Sequence, residues 1–315
     1  MEILSQYRNG NTNVTIYTDG TKVRELPDHE PIQVSHFESA DVKITNHCEP
    51  TSDNPICSFC HEKSGPDGLH ADLDRLAQVL SVLPAGVEIA VGGGNALSHP
   101  NLIDFLRKIK AQGLIANMTI NQKHLAGYKD MLLSMISEKL IHGVGISYND
   151  EKYLPDVEPI LQASDNVVFH MIMGINAVED VAILHRFCGD RNKVVKALVL
   201  GYKQYGFGIN HYLKNPAIED NKYLWYVKLA SYFKRKDLVL SFDNLAIDQM
   251  KLRRYFTDEA WNKFFMGNEG KYSIFIDAVE QKYAKSSTSD SRKSFDECSL
   301  IDFFKQLNMH RCFSY

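Results

Sequence analysis

Between residues 41 and 205, short β-rich runs alternate with segments of helical period, and this alternation constrains the fold more than any other feature of the chain. The runs "DVKITN", "VEIAV", "LIANMTI", "IHGVGIS", "NVVFHMIMGI" and "KVVKALVL" read as strands. Apolar residues at helical spacing predict helices at about Asp72 to Leu83, Leu102 to Ala111, Gly127 to Glu138, Val157 to Ala163 and Val178 to Cys188. Strands in this order pair in parallel, because a parallel neighbour is reached only through a crossover, and crossovers are overwhelmingly right-handed. Six such units predict an α/β fold, a partial (βα)6 TIM-like barrel over residues 41 to 205. Ligands in such folds bind beyond the carboxyl ends of the strands.

Two flanking segments differ from this core. "NVTIYTDGTKVREL" (13 to 26) alternates around Asp19-Gly20 and predicts an N-terminal β-hairpin extension within residues 1 to 40. Residues 206 to 315 read as an α+β C-terminal extension that closes the open side of the barrel and shapes a substrate pocket. It holds the aromatic helical segment "YLWYVKLASYFKR", a strand "LVLSF", the run "KYSIFIDAVEQKY", and a polar stretch, "AKSSTSDSRKS", read as a loop or lid.

At 315 residues the chain buries a substantial core, and its net charge of -4, with no strongly basic half, points to no nucleic-acid or membrane partner. The segment "MEILSQYRNGNTNV" lacks the features of a secretory signal, and no window approaches the ~20 apolar residues of a membrane span, so a cytoplasmic protein is expected. The sequons at Asn13 and Asn117 are then chance matches.

Three of the six cysteines, Cys48, Cys57 and Cys60, fall within "NHCEPTSDNPICSFCHE" (46 to 62), while Cys188, Cys298 and Cys312 are scattered. That distribution argues against a secreted disulfide framework and for a metal-binding or catalytic loop. Cys57-x-x-Cys60 directs two thiolates at one centre, and Cys48 ends the first strand. A tetrahedral zinc site completed by His47 or His61, and an iron–sulfur cluster with one iron open, both satisfy the spacing. One βα unit later, "EIAVGGGNALSHPNL" (88 to 102) sets a glycine run directly after the second strand, where backbone groups approach a ligand closely.

This pair of motifs resembles the radical S-adenosylmethionine enzymes, which carry a three-cysteine loop after the first strand and a Gly-Gly-Glu-type turn after the second. Gly93, Gly94 and Asn95 fall on that turn, "ALSHPNL" continues the match, and the resemblance spans about residues 41 to 205. The "CHE" and "GGGN" elements are similar to those of a little-characterised bacterial and phage subgroup. Two departures stand out: eight residues separate Cys48 from Cys57 where three is commonest, and Asn95 replaces glutamate. An amide oxygen accepts a hydrogen bond from the methionine ammonium without the charge assistance of a carboxylate.

The resemblance implies that Cys48, Cys57 and Cys60 bind three irons of a [4Fe–4S] cluster and that the fourth iron takes the amino and carboxylate groups of S-adenosylmethionine. An external flavodoxin- or ferredoxin-type donor would supply the electron. Cleavage then gives a 5'-deoxyadenosyl radical, which abstracts hydrogen from a peptide, nucleotide or small metabolite. Phe59 is a candidate to pack on the adenine, Asn121 and Ser147 to contact ribose or carboxylate, and the backbone of Leu200 and Gly201 to meet the adenine. Met171 and Met173 either line that stretch or fill the core. Lys203 and Tyr205 are candidates to face substrate, and Lys285, Arg292 and Lys293 to meet an anion. His61 and Glu62 either reach the cluster or substrate, or bond within their loop. Only Cys298 and Cys312 follow residue 205, too few for a second all-cysteine cluster. Two other classes compete: a zinc-stapled binding module using Cys48, Cys57, Cys60 and His61, and an iron–sulfur electron carrier or sensor.

Overall fold

The computed structural model describes residues 2–25, 32–50, 55–233, 235 and 237–309. At the N-terminus, β1 (Ile3–Asn9), β2 (Thr12–Tyr17) and β3 (Lys22–Glu25) form an antiparallel sheet in that order. The expected hairpin is β2–β3, and it turns through Asp19 and Gly20. It is one strand short of what forms: β1 adds a third, joined through its backbone while most of its side chains remain exposed or half-exposed, so little apolar alternation marks it.

The second sheet has ten strands. The six expected are β4 (Ser39–Thr45), β5 (Glu88–Gly93), β6 (Ile115–Asn121), β7 (Gly143–Ser147), β8 (Val167–Ile172) and β9 (Val195–Leu200). Consecutive members pair in parallel. Between them run α1 (Leu73–Leu80), α2 (Leu102–Ala111), α3 (Leu125–Ser137), α4 (Leu154–Ala163) and α5 (Asp180–Gly189). After α6 (Phe207–Lys214) and α7 (Ala217–Tyr232), β10 (Leu238–Phe242) joins β9 in parallel as a seventh strand. Beyond α8 (Asn244–Gln249) and α9 (Asp258–Phe264), β11 (Ser273–Asp277) returns to the far edge and pairs in parallel with β4. An antiparallel hairpin, β12 (Lys282–Ala284) and β13 (Arg292–Ser294), extends that edge, and the polar stretch read as a loop or lid is largely the turn of this hairpin. The chain ends its described course in α10 (Leu300–Met309).

Each face of the parallel sheet has its own chemistry. Ala116, Met118 and Ile120 of β6 are buried in the apolar core, whereas Asn117 and Thr119 alternate with them; β9 repeats the alternation of burial, with Val195, Ala197 and Val199 in the core and the half-buried Lys196, Leu198 and Leu200 on the other face. The helices cover the apolar face. Helix α1 buries Leu73, Leu76, Ala77 and Leu80, a stripe at helical spacing, and Asp72 caps it by accepting from the N–H groups of Asp74 and Arg75. Burial of a leucine such as Leu76 contributes roughly 2 kcal/mol of transfer free energy.

The small antiparallel sheet packs at the amino ends of the strands. There Arg24 binds the fully buried Glu38, just ahead of β4, and Lys22 pairs with Glu88, the first residue of β5. The carboxyl ends lie opposite, where the cysteine loop leaves β4. Among the described residues, no helix is long and apolar enough to cross a membrane.

Candidate active site at the strand carboxyl ends

The cysteine loop is held by backbone at both ends. Cys48 N–H donates to Gly65 O at 2.9 Å. From β5, Gly94 N–H donates to Thr45 O at 2.8 Å and Asn95 N–H to His47 O at 2.7 Å. A Cβ on Gly93 would stand 2.3 Å from Thr45 O, and one on Gly94 would stand 2.1 Å from His47 O; Gly93 also has φ +124°. At these two residues the close approach expected to serve a ligand is taken by the end of β4 and the residues just after it, although both still border the thiol cavity.

A second clamp, absent from the sequence reading, grips the third cysteine. Phe207 N–H, at the start of α6, donates to Cys60 O at 2.9 Å. A Cβ on Gly206 (φ +57°) would meet His61 O at 2.4 Å, and one on Gly208 would meet Lys203 O at 2.5 Å and Phe59 O at 3.3 Å. The only signal in the sequence was the spacing of two glycines at a helix start.

Cys48, Cys57 and Cys60 are all free thiols and line one cavity of about 130 Å³. His124 Nε2 lies 3.5 Å from Cys48 Sγ, and Asn121 Nδ2 lies 3.8 Å from Cys57 Sγ. Burial, then the neighbouring Cys57 and Cys60, pushes the Cys48 thiol up to about 11, and burial likewise raises Cys57. A bound cation must therefore displace protons from these sulfurs. Glu49 borders the same cavity. Burial pushes its carboxyl up, but hydrogen bonds from Asn95 and Tyr128, with His47 and His124 nearby, hold it below the ordinary value.

A larger cavity of about 420 Å³ shares Cys57, Cys60, Gly93, Thr119, Asn121 and Ser147 with the first. Its walls take residues from β4 through β9 and from β11. On β4, Lys43 bridges Glu62 (3.0 Å) and the buried Asp277 of β11, which Arg292 also binds at 2.9 Å. His61 lies 3.3 Å from Glu62. Burial pushes the Glu62 carboxyl up, but His61 and then Lys43 outweigh it and bring it down to about 2. Burial lowers His61, which favours its neutral form. Asp41 opens into the cavity yet is ringed by protein, and that surrounding raises its pKa despite Lys203.

His170 stands in the same cavity on β8, where burial lowers its pKa to about 4. The ordinary value is ~6.5, so between the two the unfolded chain binds the extra proton and stability falls as pH drops, by up to about 3 kcal/mol. Urea midpoints measured from pH 7 to pH 4 are expected to fall more steeply for wild type than for His170→Gln. Parallel curves would refute the assignment.

The other sequence candidates divide. Phe59 borders the larger cavity, while its ring also meets His211 of α6 edge-on at 5.7 Å. Asn121 caps the turn after β6 by accepting from Lys123 N–H and also accepts from Asn149. Ser147 lines both cavities. Asn95 is buried, borders neither cavity, and gives its amide to Glu49. Leu200 lines the larger cavity and its carbonyl accepts from Met173 N–H; Gly201 is buried outside it and donates to Asp243. Met171 and Met173 are core residues. Lys203 and Lys285 line the cavity, and Lys203 Nζ donates to Ser287 Oγ at 2.9 Å, joining the end of β9 to the β12–β13 turn. Tyr205 is exposed and outside the cavity lining, Arg292 is committed to Asp277, and Lys293 pairs at the surface with Glu297. Cys298 packs beside the core and Cys188 within it; Cys312 lies outside the described residues.

Among the described residues, no group of three or more His, Cys, Asp or Glu side chains is arranged to hold a metal ion. Zinc needs four donors about 2.0–2.3 Å from one centre, and beyond the three thiols the fourth would fall to His47 or His61, whose rings contact Pro66 O and Glu62 respectively. Three free thiols bordering one cavity suit a cluster, whose irons are ligated one by one.

No protein-family model matches the chain, and no curated protein matches it in sequence. Solved structures do match it in fold, that of SuiB from Streptococcus suis. SuiB itself superimposes with a TM-score of 0.62 at 9% identity, over 99% of this chain and 90% of that one. SuiB bound to S-adenosylmethionine gives 0.59 at 9% identity, over 89% and 69%. SuiB bound to the precursor peptide SuiA gives 0.57 at 10% identity over 86% of this chain, which spans 65% of that one.

Proposed function

We propose that this chain is a radical S-adenosylmethionine enzyme acting on a peptide. The observation that carries the reading is the meeting of Cys48, Cys57 and Cys60 at one cavity, beyond the carboxyl ends of a parallel sheet and continuous in its lining with a larger polar cavity. Support comes also from a fold shared with a protein solved with S-adenosylmethionine and with a precursor peptide. One cavity lined by residues of every strand from β4 to β9 and of β11 favours a partial barrel. Cys48, Cys57 and Cys60 would hold a [4Fe–4S] cluster. When bound and reduced by a flavodoxin- or ferredoxin-type donor, it would supply the one electron that breaks the sulfonium C–S bond of S-adenosylmethionine, leaving methionine and a 5'-deoxyadenosyl radical, the hydrogen-abstracting agent.

The chain's own residues set the stage for that chemistry. The two glycine clamps hold the chain beside Cys48 and Cys60 through close backbone contacts, and the three thiols line the cavity. Asn121 and Ser147, which line both cavities, would orient the ribose or carboxylate of the cofactor. The run of paired side chains from His61 through Glu62 and Lys43 to Asp277 links the third cysteine to the wall of the larger cavity, where the substrate would sit screened from bulk water.

The test is anaerobic. The protein is reconstituted with iron and sulfide, reduced with dithionite, given S-adenosylmethionine and assayed for 5'-deoxyadenosine. Formation of 5'-deoxyadenosine is expected, and Cys60→Ala should lower it at least a hundredfold. A complete cluster that leaves S-adenosylmethionine intact would favour an electron carrier instead.

A further inference from the structure

Asn95 occupies the turn position where a carboxylate was expected, but it is buried, and its amide holds a different carboxylate, one that borders the thiol cavity. Glu49, the residue after Cys48, borders the thiol cavity with 40% of its side chain exposed. Asn95 Nδ2 donates to its Oε2 at 3.0 Å, and Tyr128 Oη, on α3, donates to both oxygens at 3.0 Å. His47 Nε2 lies 3.6 Å from Oε1. Two βα units thus converge to hold one side chain that no core packing requires. A carboxylate offers about four acceptor sites, so these donors leave capacity for another.

We propose that Glu49 accepts a hydrogen bond from the amino group of S-adenosylmethionine, with Asn95 and Tyr128 as positioning residues that hold the carboxylate in place. This rests on the function proposed above. Of the cofactor's polar groups, the sulfonium has no hydrogen to donate and the carboxylate would be repelled, whereas the amino group keeps N–H donors even with its lone pair on the open iron. A charge-assisted hydrogen bond made here replaces the one that the amide of Asn95, turned away, does not make.

The experiment is calorimetric titration of the anaerobically reconstituted protein, full chain, with two probes: S-adenosylmethionine and its analogue lacking the amino group. Iron and sulfide content are measured on every sample. Wild type is expected to prefer S-adenosylmethionine, and Glu49→Gln to retain its iron while binding S-adenosylmethionine about ten- to a hundredfold more weakly, with the analogue unaffected. Equal weakening of both probes, or of neither, overturns the assignment. If Glu49→Gln loses its iron, Tyr128→Phe serves in its place: a smaller selective loss supports the role, and an unchanged ratio between the probes overturns it. Wild type that carries a full cluster and binds neither probe overturns the proposed function itself.

Discussion

Cys57→Ala is expected to leave the reconstituted protein without a cluster, its iron and visible absorbance reduced at least tenfold, whereas Cys188→Ala keeps both. Cys57 borders the thiol cavity with its sulfur beside Asn121 Nδ2. Cys188 is buried without exposure in α5, among the residues that cover the sheet, and burial raises its thiol to about 11. A thiol kept protonated in apolar surroundings is a packing residue, so its removal costs about 1 kcal/mol of stability and no iron. Iron analysis of the two variants side by side decides the matter, and equal loss in both would overturn the ligand assignment.

Gly94→Ala should do nearly as much harm without removing any ligand. Its new methyl would stand 2.1 Å from His47 O, a backbone atom that cannot turn aside as a side chain can. Either the turn after β5 moves or the end of β4 does, and the hydrogen bonds from Gly94 N–H to Thr45 O and from Asn95 N–H to His47 O are lost with it. A destabilisation of about 3 kcal/mol in the cluster-free protein is expected, together with weaker iron binding. Gly127→Ala is the control. Gly127 is exposed on α3, a Cβ there meets nothing within 4 Å, and the exchange should stabilise the helix by up to about 1 kcal/mol. Urea midpoints of the two variants should move in opposite directions; a shared direction would mean that the contact at Gly94 yields easily.

The six-strand core was legible because each strand announces itself locally and its neighbour is the next one along the chain. Helix α2 begins and ends where its periodicity places it, at Leu102 and Ala111. What escaped the sequence was non-local. The run containing β11 carries no assignment from the sequence, and nothing in it tells that its partner is β4, with Ser273 opposite Ser39. That pairing alone brings Asp277 to Lys43. The glycine turn was recognised but its nearest neighbour was not, since a glycine's lack of a side chain is the same whether a cofactor or a carbonyl approaches. Asn95 shows the same limit: a residue's place in a motif says where its backbone lies, and only the fold reveals that its amide serves Glu49.

The clamps at Gly93–Gly94 and Gly206–Gly208 fasten the cysteine loop near its two ends. Thiol placement is then insulated from the stretch between Cys48 and Cys57, because doubling the length of a tethered segment adds only about 0.6 kcal/mol to the cost of closing it. Insertions and deletions there are cheap, and the eight-residue spacing need be no adaptation to the chemistry at all. In chains built this way, the two anchoring glycine pairs are a steadier guide to homologous centres than the count of residues between cysteines.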